Sequence, residues 1–297
     1  MKRQVHGARL PLWAGIAVTL AIGLLAAAPI VDAKGPAPVG LGTAAPFAVL
    51  AGTPAVTNSG PTTITGDVGI HPAVAVTGFP PGTVNGTIHM ADAVALQAKS
   101  DLVTAYNDAA GRTPVTVVAG GTLGGKTLVA GVYKAGGVAL DLTGTLTLDG
   151  QNDPNSVWVF QATSSLITAS SSSVKLINGA SPCNVFWQVT SSATLGSGST
   201  FVGTIMALTS ITMASGVTVN GRALARNGDV TLINDKITNS CSAAAPASSG
   251  VPNAAVSRGD EPVAPWSPFM VLGAIGLALA LVLSIVTLMR PALGRGH

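Results

Sequence analysis

Few residues in this 297-residue chain could do covalent or proton-transfer chemistry. Between the apolar ends, the histidines are His71, just before a proline, and His89. All the acids of that segment are Asp, mostly in turn-like or helical settings, and no Gly-x-Ser-x-Gly or His-Glu-x-x-His sequence occurs. Catalysis needs reactive groups that converge, and this set offers no convincing constellation. Gly120–Thr127 (GGTLGGKT) fits the phosphate-loop pattern, but a phosphate cradle needs a helix straight after it. The next residues, Leu128–Tyr133, read as a strand interrupted by Gly131, so the segment is read as a glycine-rich turn. Asp149 and Asp153 flank Gly150 and precede Pro154, which reads as a turn rather than a calcium loop. The chain is therefore read as a non-enzyme with no cofactor and no metal.

The residues that do recur at fixed spacing are hydroxylic. Thr194–Ala207 aligns with Thr212–Ala225 at an offset of 18, with six identities in fourteen positions. Phe160–Ser165 echoes Trp187–Ser192 at an offset of 27. A fixed period of this kind signals stacked repeats. Eighteen residues divide into three sides of about six, near the usual strand length. Leu195, Phe201, Met213 and Val219 would then fill the inside. Two outward ladders follow: Ser197 and Thr200 above Ser215 and Thr218, and Thr194 above Thr212, with Thr231 a candidate for its continuation. Side chains alternate faces along a strand. Residues three apart therefore cannot share a face, and one member of each Ser-x-x-Thr set belongs near a corner.

The elements that position these residues are mostly short β segments between Gly, Ser and Asn, such as Thr143–Leu148, Val157–Phe160, Val185–Val189 and Val230–Ile233. One stretch differs. Residues 88–109 contain no Gly or Pro. Ile88, Ala91, Ala95, Ala98, Leu102, Ala105 and Ala109 recur at spacings of three and four, which predicts a helix with a thin, Ala-rich face capped at Gly111.

The ends carry a different signal. Lys2, Arg3 and Arg9 precede an apolar run that ends at Val31-Asp32-Ala33, a signal-peptide pattern over 1–33. The run is longer than the usual apolar core, which leaves an uncleaved anchor as the alternative. Residues 243–268 are rich in Pro, Ala and Ser and read as a tether, about 30 Å long as a coil and about 80 Å if extended. The Arg258-Gly259-Asp260 tripeptide within it is too short a match to carry weight. Phe269–Met289 holds no charge and would span about 30 Å as a helix, a bilayer's width. Arg290 and Arg295 follow in the tail, 290–297, and place it on the cytoplasmic side.

Charge and cysteines narrow the partners. From Lys34 to Ser242 there are nine Lys/Arg and nine Asp/Glu, so the domain is neutral and shows no basic patch for nucleic acid. The net charge of +3 comes from the ends. Cys183 and Cys241 are the only cysteines. In an exported domain they are expected to form a disulfide that ties down the last strand segment.

Several motifs, in order, resemble one family. They are Phe47–Gly52, Gly66–Gly69, Gly78–Thr83, Ala105–Thr113, Val185–Val189, Gly203–Ala207 and Val219–Arg226. Together they look like the ice-binding-protein-like family known as DUF3494, over about 40–241. The resemblance implies a mainly β fold: a discontinuous right-handed β-solenoid of triangular section with one long α-helix packed alongside. It also implies adsorption to ice through one flat face. Some members carry Thr-Ala/Gly-x-Thr/Asn there. The nearest matches are Ser197–Thr200 and Ser215–Thr218, both with Ser for the first Thr. Serine lacks the γ-methyl, so weak to moderate ice binding is expected. The resulting organisation is a signal peptide (1–33), a solenoid domain (34–242), a linker (243–268), a C-terminal transmembrane helix (269–289) and a cytoplasmic tail. The expected function is a membrane-anchored, extracellular, monomeric ectodomain that binds ice through Thr194, Ser197, Thr200, Thr212, Ser215 and Thr218. The alternative is a non-enzymatic adhesion or structural module that binds glycans or neighbouring cells.

Protease applied to intact cells should remove the domain while leaving the last residues protected. Protection of the whole chain would end the anchored reading.

Overall fold

The computed structural model describes residues 35–241, and these lie within one compact unit. The segments expected to be a signal peptide (1–33), a linker (243–268), a transmembrane helix (269–289) and a tail (290–297) fall outside the described residues. No helix among the described residues is long and apolar enough to cross a membrane.

Over the described residues the fold is mainly β, with all the strands parallel and one long helix. Each turn of chain adds one short strand to each of three faces. One face is a seven-stranded sheet. It runs Leu140–Leu142, Leu166–Thr168, Ala193–Leu195, Ile211–Met213, Val230–Ile233, Ala55–Ser59 and Ala75–Thr77. A fifteen-stranded sheet wraps the other two faces. It turns the corner inside Thr200–Ala207 and Thr218–Ala225, which bend at Gly203 (φ 105°) and Gly221 (φ 150°). A Cβ on Gly221 would sit 2.0 Å from the carbonyl oxygen of Gly203, so only glycine lets the rungs stack closely there.

The repeats read from the sequence are the registers of the stack. Thr194 pairs with Thr212 and Thr200 with Thr218, at the offset of 18. Phe160 pairs with Trp187 and Gln161 with Gln188, at the offset of 27. Leu195, Phe201, Met213 and Val219 are all buried inside. In-register stacking also lines up Tyr133, Phe160, Trp187 and Phe201, with successive ring centroids 5.5, 4.0 and 4.9 Å apart.

The order of rungs departs from the order of the sequence. From Thr116 onward the chain climbs rung by rung to Lys236–Thr238, and the N-terminal segment then stacks on that last rung. Val56 pairs with Val230, Ile64 with Ile237 and Val49 with Ala223. Polar side chains bolt this seam. Arg222 Nε donates to Ala45 O (2.9 Å) and Asn239 Nδ2 to Ala45 O (2.9 Å) and Pro46 O (3.1 Å). Asp235 accepts from Val217 N (2.8 Å) and Ile233 N (2.7 Å), while its own N–H donates to Thr62 Oγ1 (3.0 Å).

The helix begins later than its sequence pattern suggested. It spans Ala93–Gly111, with Asp92 as N-cap accepting from Ala95 N (2.8 Å). Ile88–Met90 is instead the last strand of the stack, paired with Val68–Ile70, and Ala91 takes a positive φ of 50° that no helix accommodates. Backbone pairing outcompeted a helical spacing that two chance positions had extended. Gly111 is the last helical residue, and Arg112 is the C-cap. From Ala95 on, the stripe holds: Ala95, Ala98, Leu102, Ala105 and Ala109 are buried, joined by Tyr106. Ala98, Leu102, Ala105, Tyr106 and Ala109 pack with Phe47, Leu50, Val132, Val159, Phe186, Met206 and Leu224 of the third face. Gln161 Nε2 donates to the carbonyls of Ala109, Ala110 and Arg112 and so closes the helix's C-terminal end. Lys99 donates to the carbonyls of Ala225 and Arg226. Burial, with Arg226 nearby, pulls the Lys99 ammonium down to about 7.

Cys183 and Cys241 are joined, 58 residues apart in sequence. The bridge holds the last described residue against the segment before Val185–Val189. Replacing both cysteines by Ser should cost about 2–4 kcal/mol of stability in chemical denaturation, through the loop entropy regained by the unfolded chain. A second expectation concerns Asp235. Burial pushes its carboxyl up to about 6, against the pull of the backbone N–H groups. A pKa above the unfolded value of about 3.9 means that the folded state holds the proton more tightly. This group's contribution is therefore fully present below about pH 4 and lost as pH rises past about 6. The stability gap between the wild type and Asp235→Asn should be larger at pH 4 than at pH 7, as read from thermal unfolding.

Candidate functional site: the open faces

Two faces of the prism are open, because the helix covers only the third. Their outward side chains follow from strand alternation. On the seven-stranded face the central column is Thr77, Thr57, Thr231, Thr212 and Thr194, each paired in register with the next. Below it come Ile167, Asp141 and Thr122. Thr57, Thr77, Thr194 and Thr212 are exposed, and Thr231 is half-buried. Val56, Val76, Val230, Ile211, Met213, Leu195 and Leu166 point inward from the same strands and fix the register against a slip. Ile167, 43% exposed, carries the column's branched side chains one rung further. Asp141 then ends the run with a charge and accepts from Thr143 Oγ1 (2.9 Å). No Lys or Arg stands in this column.

The second open face carries the column Thr83, Thr63, Lys236, Thr218, Thr200, Ser173 and Thr145. Beside it runs Asn85, Thr65, Thr238, Asn220 and Val202, and further down Lys175 pairs with Thr147. Both lysines are exposed. The hydroxyl ladder here is therefore broken by a cation in its middle.

The six candidate residues thus divide among three places. Thr194 and Thr212 share the seven-stranded face with Thr231. Thr200 and Thr218 share the other open face. Ser197 and Ser215 lie in the corner turns between the two, stacked so that Gly198 N donates to Ser215 O at 3.0 Å. The Ser-x-x-Thr pattern spans a corner instead of lying flat. Thr57 and Thr77, which extend the longer column beyond Thr231, carry no local signal in the sequence. They reach it only because the N-terminal segment caps the stack.

The remaining polar groups serve local structure. The segment resembling a phosphate loop ends in the strand Thr127–Val129, not in a helix. Asp149 accepts from Gln151 N and Asn178 Nδ2, both at 2.8 Å, and Asp153 from Asn155 N at 2.9 Å, as turn residues do. His89 Nδ1 lies 2.7 Å from the N-cap carboxylate of Asp92. Among the described residues no three His, Cys, Asp or Glu side chains gather as metal ligands would.

Comparison with known proteins places this architecture. The ice-binding-like family model matches residues 49–238. An ice-binding protein of Nostoc sp. (strain HG1) is 52% identical over 202 residues, covering 68% of this chain and 74% of that protein. The crystal structure of an ice binding protein from an Antarctic biological consortium superposes with a TM-score of 0.67 at 46% identity, covering 69% of this chain and 92% of the other. That of an ice-binding protein from the Antarctic ascomycete Antarctomyces psychrotrophicus gives 0.65 at 43% identity, covering 68% and 98%. With the family model and the Nostoc protein each spanning well over half of it, the chain belongs to the ice-binding-like family.

Proposed function

We propose that this protein binds ice at the cell surface through its seven-stranded face. The observation that carries the reading is the unbroken, in-register run of Thr77, Thr57, Thr231, Thr212 and Thr194 on one parallel sheet. Rungs repeat about every 4.8 Å, and alternate residues along a strand lie about 6.7 Å apart. Each threonine adds a hydroxyl and a methyl on that grid, so first-layer water is held by the hydroxyl and fenced by the methyl. A lysine in the same place would hold its own hydration shell in other orientations. By that criterion the second open face, with Lys236 and Lys175, is the poorer surface. The choice falls on Thr194 and Thr212 over Thr200 and Thr218, with Ser197 and Ser215 at the margin.

The reading includes export and anchoring. The apolar N-terminal run, the Pro/Ala/Ser-rich tether and the uncharged Phe269–Met289 before Arg290 support a monomeric domain held outside the cytoplasmic membrane. Anchoring suits a protein that acts where the cell meets ice, holding the cell to the crystal or altering the crystal's growth. It does not suit one meant to lower the freezing point of a whole medium. No enzyme activity or cofactor is part of this reading.

Ice-affinity partitioning of the wild type beside Thr212→Tyr and Thr218→Tyr tests the choice of face. Thr212→Tyr should lose most of its partitioning into ice, because a ring on a flat face lifts it off the lattice. Thr218→Tyr should keep it. Both should stay within about 0.5 kcal/mol of wild-type stability, as exposed strand positions usually do. Folded wild-type protein left in the liquid would sink the ice reading in favour of adhesion to glycans or neighbouring cells. Loss in Thr218→Tyr alone would move the site to the other face.

A further inference from the structure

Thr231 stands at the middle of the five-threonine column, between Thr57 and Thr212, and is half-buried where its neighbours are exposed. Its hydroxyl is already committed: Oγ1 donates to Asp229 Oδ2 at 3.1 Å. The other oxygen of the same carboxylate accepts a short hydrogen bond from Ser210 Oγ. Ser210 in turn donates its N–H to Ser192 Oγ (3.4 Å), which shares a hydrogen bond with Thr209 Oγ1 (2.7 Å). A file of hydroxyls thus crosses three rungs along one margin of the threonine face and ends on a single carboxylate. Among the described residues, Thr57, Thr77, Thr194 and Thr212 have no such side-chain partner.

A β-branched side chain has few χ1 wells, and a charge-assisted hydrogen bond selects one of them. Once Thr231 Oγ1 donates to Asp229, its γ-methyl direction is fixed and the hydroxyl faces incoming water with lone pairs only. Ser210 is held in the same way. A bare carboxylate at the edge of a surface that must order water would impose its own hydration. Here one lone pair on each oxygen is taken up by a protein hydroxyl. Side chains ordered beforehand lose less entropy on binding.

We propose that Asp229 is a positioning residue for ice recognition: its carboxylate presets the Ser210 and Thr231 hydroxyls, so that the middle of the threonine column meets ice already ordered. The proposal rests on the ice-binding reading above. A carboxylate that merely holds the rung together would show itself in stability and not in ice activity.

The test is a cycle on the full-length chain in lipid nanodiscs, reading thermal hysteresis and thermal unfolding together. Asp229→Ala should lower hysteresis several-fold with little change in the unfolding temperature. In a Ser210→Ala/Thr231→Val background, which keeps the Thr231 methyl, removes both hydroxyls and leaves the carboxylate bare, the same substitution should cause no further loss. Asp229→Asn keeps the shape, yet its amide nitrogen cannot accept a hydroxyl. It should show a several-fold loss even if Asp229→Ala fails to fold. Unchanged hysteresis in folded Asp229→Asn overturns the proposal, as does an equal loss in both backgrounds. Absence of hysteresis in the wild type is a separate outcome: it removes the ice-binding reading itself, and Asp229 with it.

Discussion

Parallel stacking in exact register is the constraint from which the rest of this protein follows. Because each rung pairs with the next through backbone hydrogen bonds, a residue at one position stands over its counterpart about 4.8 Å away. Alternation along the strand then sorts the columns into inner and outer. Indoors, the register piles Tyr133, Phe160, Trp187 and Phe201 ring upon ring. Outdoors, the same register makes a row of threonines from residues that are scattered in sequence. The core and the candidate surface are two readings of one repeat, so a slip of one residue would place threonines in the core and valines outside.

That repeat is completed by a discontinuity. The C-terminal rung would end in open backbone edges, which invite pairing with other chains. The N-terminal segment covers these edges, and Arg222, Asp235 and Asn239 bond across the join. Having built the far end of the stack, the chain must return to its beginning, from Ile88–Met90 to Thr116–Val118. Those strands lie eight steps apart on one face, about 38 Å at strand spacing. A helix of 19 residues covers about 28 Å of that distance. The helix is therefore both the return path and the lid on the third face. Its alanines let it lie close to Val159, Phe186 and Leu224. Only two faces remain open.

How much of this was legible in the sequence depended on how local the signal was. The offsets of 18 and 27 gave rung registers that proved to be backbone pairings, and they placed Leu195, Phe201, Met213 and Val219 inside. The helix's buried stripe was legible from Ala95 onward. Its start was not, because Ile88 and Ala91 fell by chance on the helical period while Ile88–Met90 pairs as a strand. The hydroxyl ladders were visible as spacing, but assigning them to faces requires knowing where the corners are, and strand alternation said only that one member of each Ser-x-x-Thr set sits near one, without saying which. The seam was out of reach. Thr57 and Thr231 are partners across more than half of the domain, and no periodicity connects them. Asp229 was likewise invisible, since a carboxylate two residues from a threonine means nothing until the stacking of successive rungs brings Ser210 to its other side.

The placement of the corners also changes the force of one argument from composition. Weak to moderate binding is the sequence expectation, because Ser197 and Ser215 stand where a methyl-bearing threonine would be favoured. Both serines lie in the turns between faces, not on either flat sheet. Their missing methyls leave the column from Thr77 to Thr194 untouched. On that face each of five successive rungs offers a threonine, and the next offers Ile167, which replaces a hydroxyl by apolar bulk but adds no charge. What limits the surface is its extent: Asp141 closes it at one end, the edge of Ala75–Thr77 at the other, and Asp229 stands at its margin. On the proposed reading, the strength of any contact with ice is set by about six rungs of uncharged side chains, and by how firmly the Asp229 carboxylate beside them is kept occupied by hydroxyls of the protein itself.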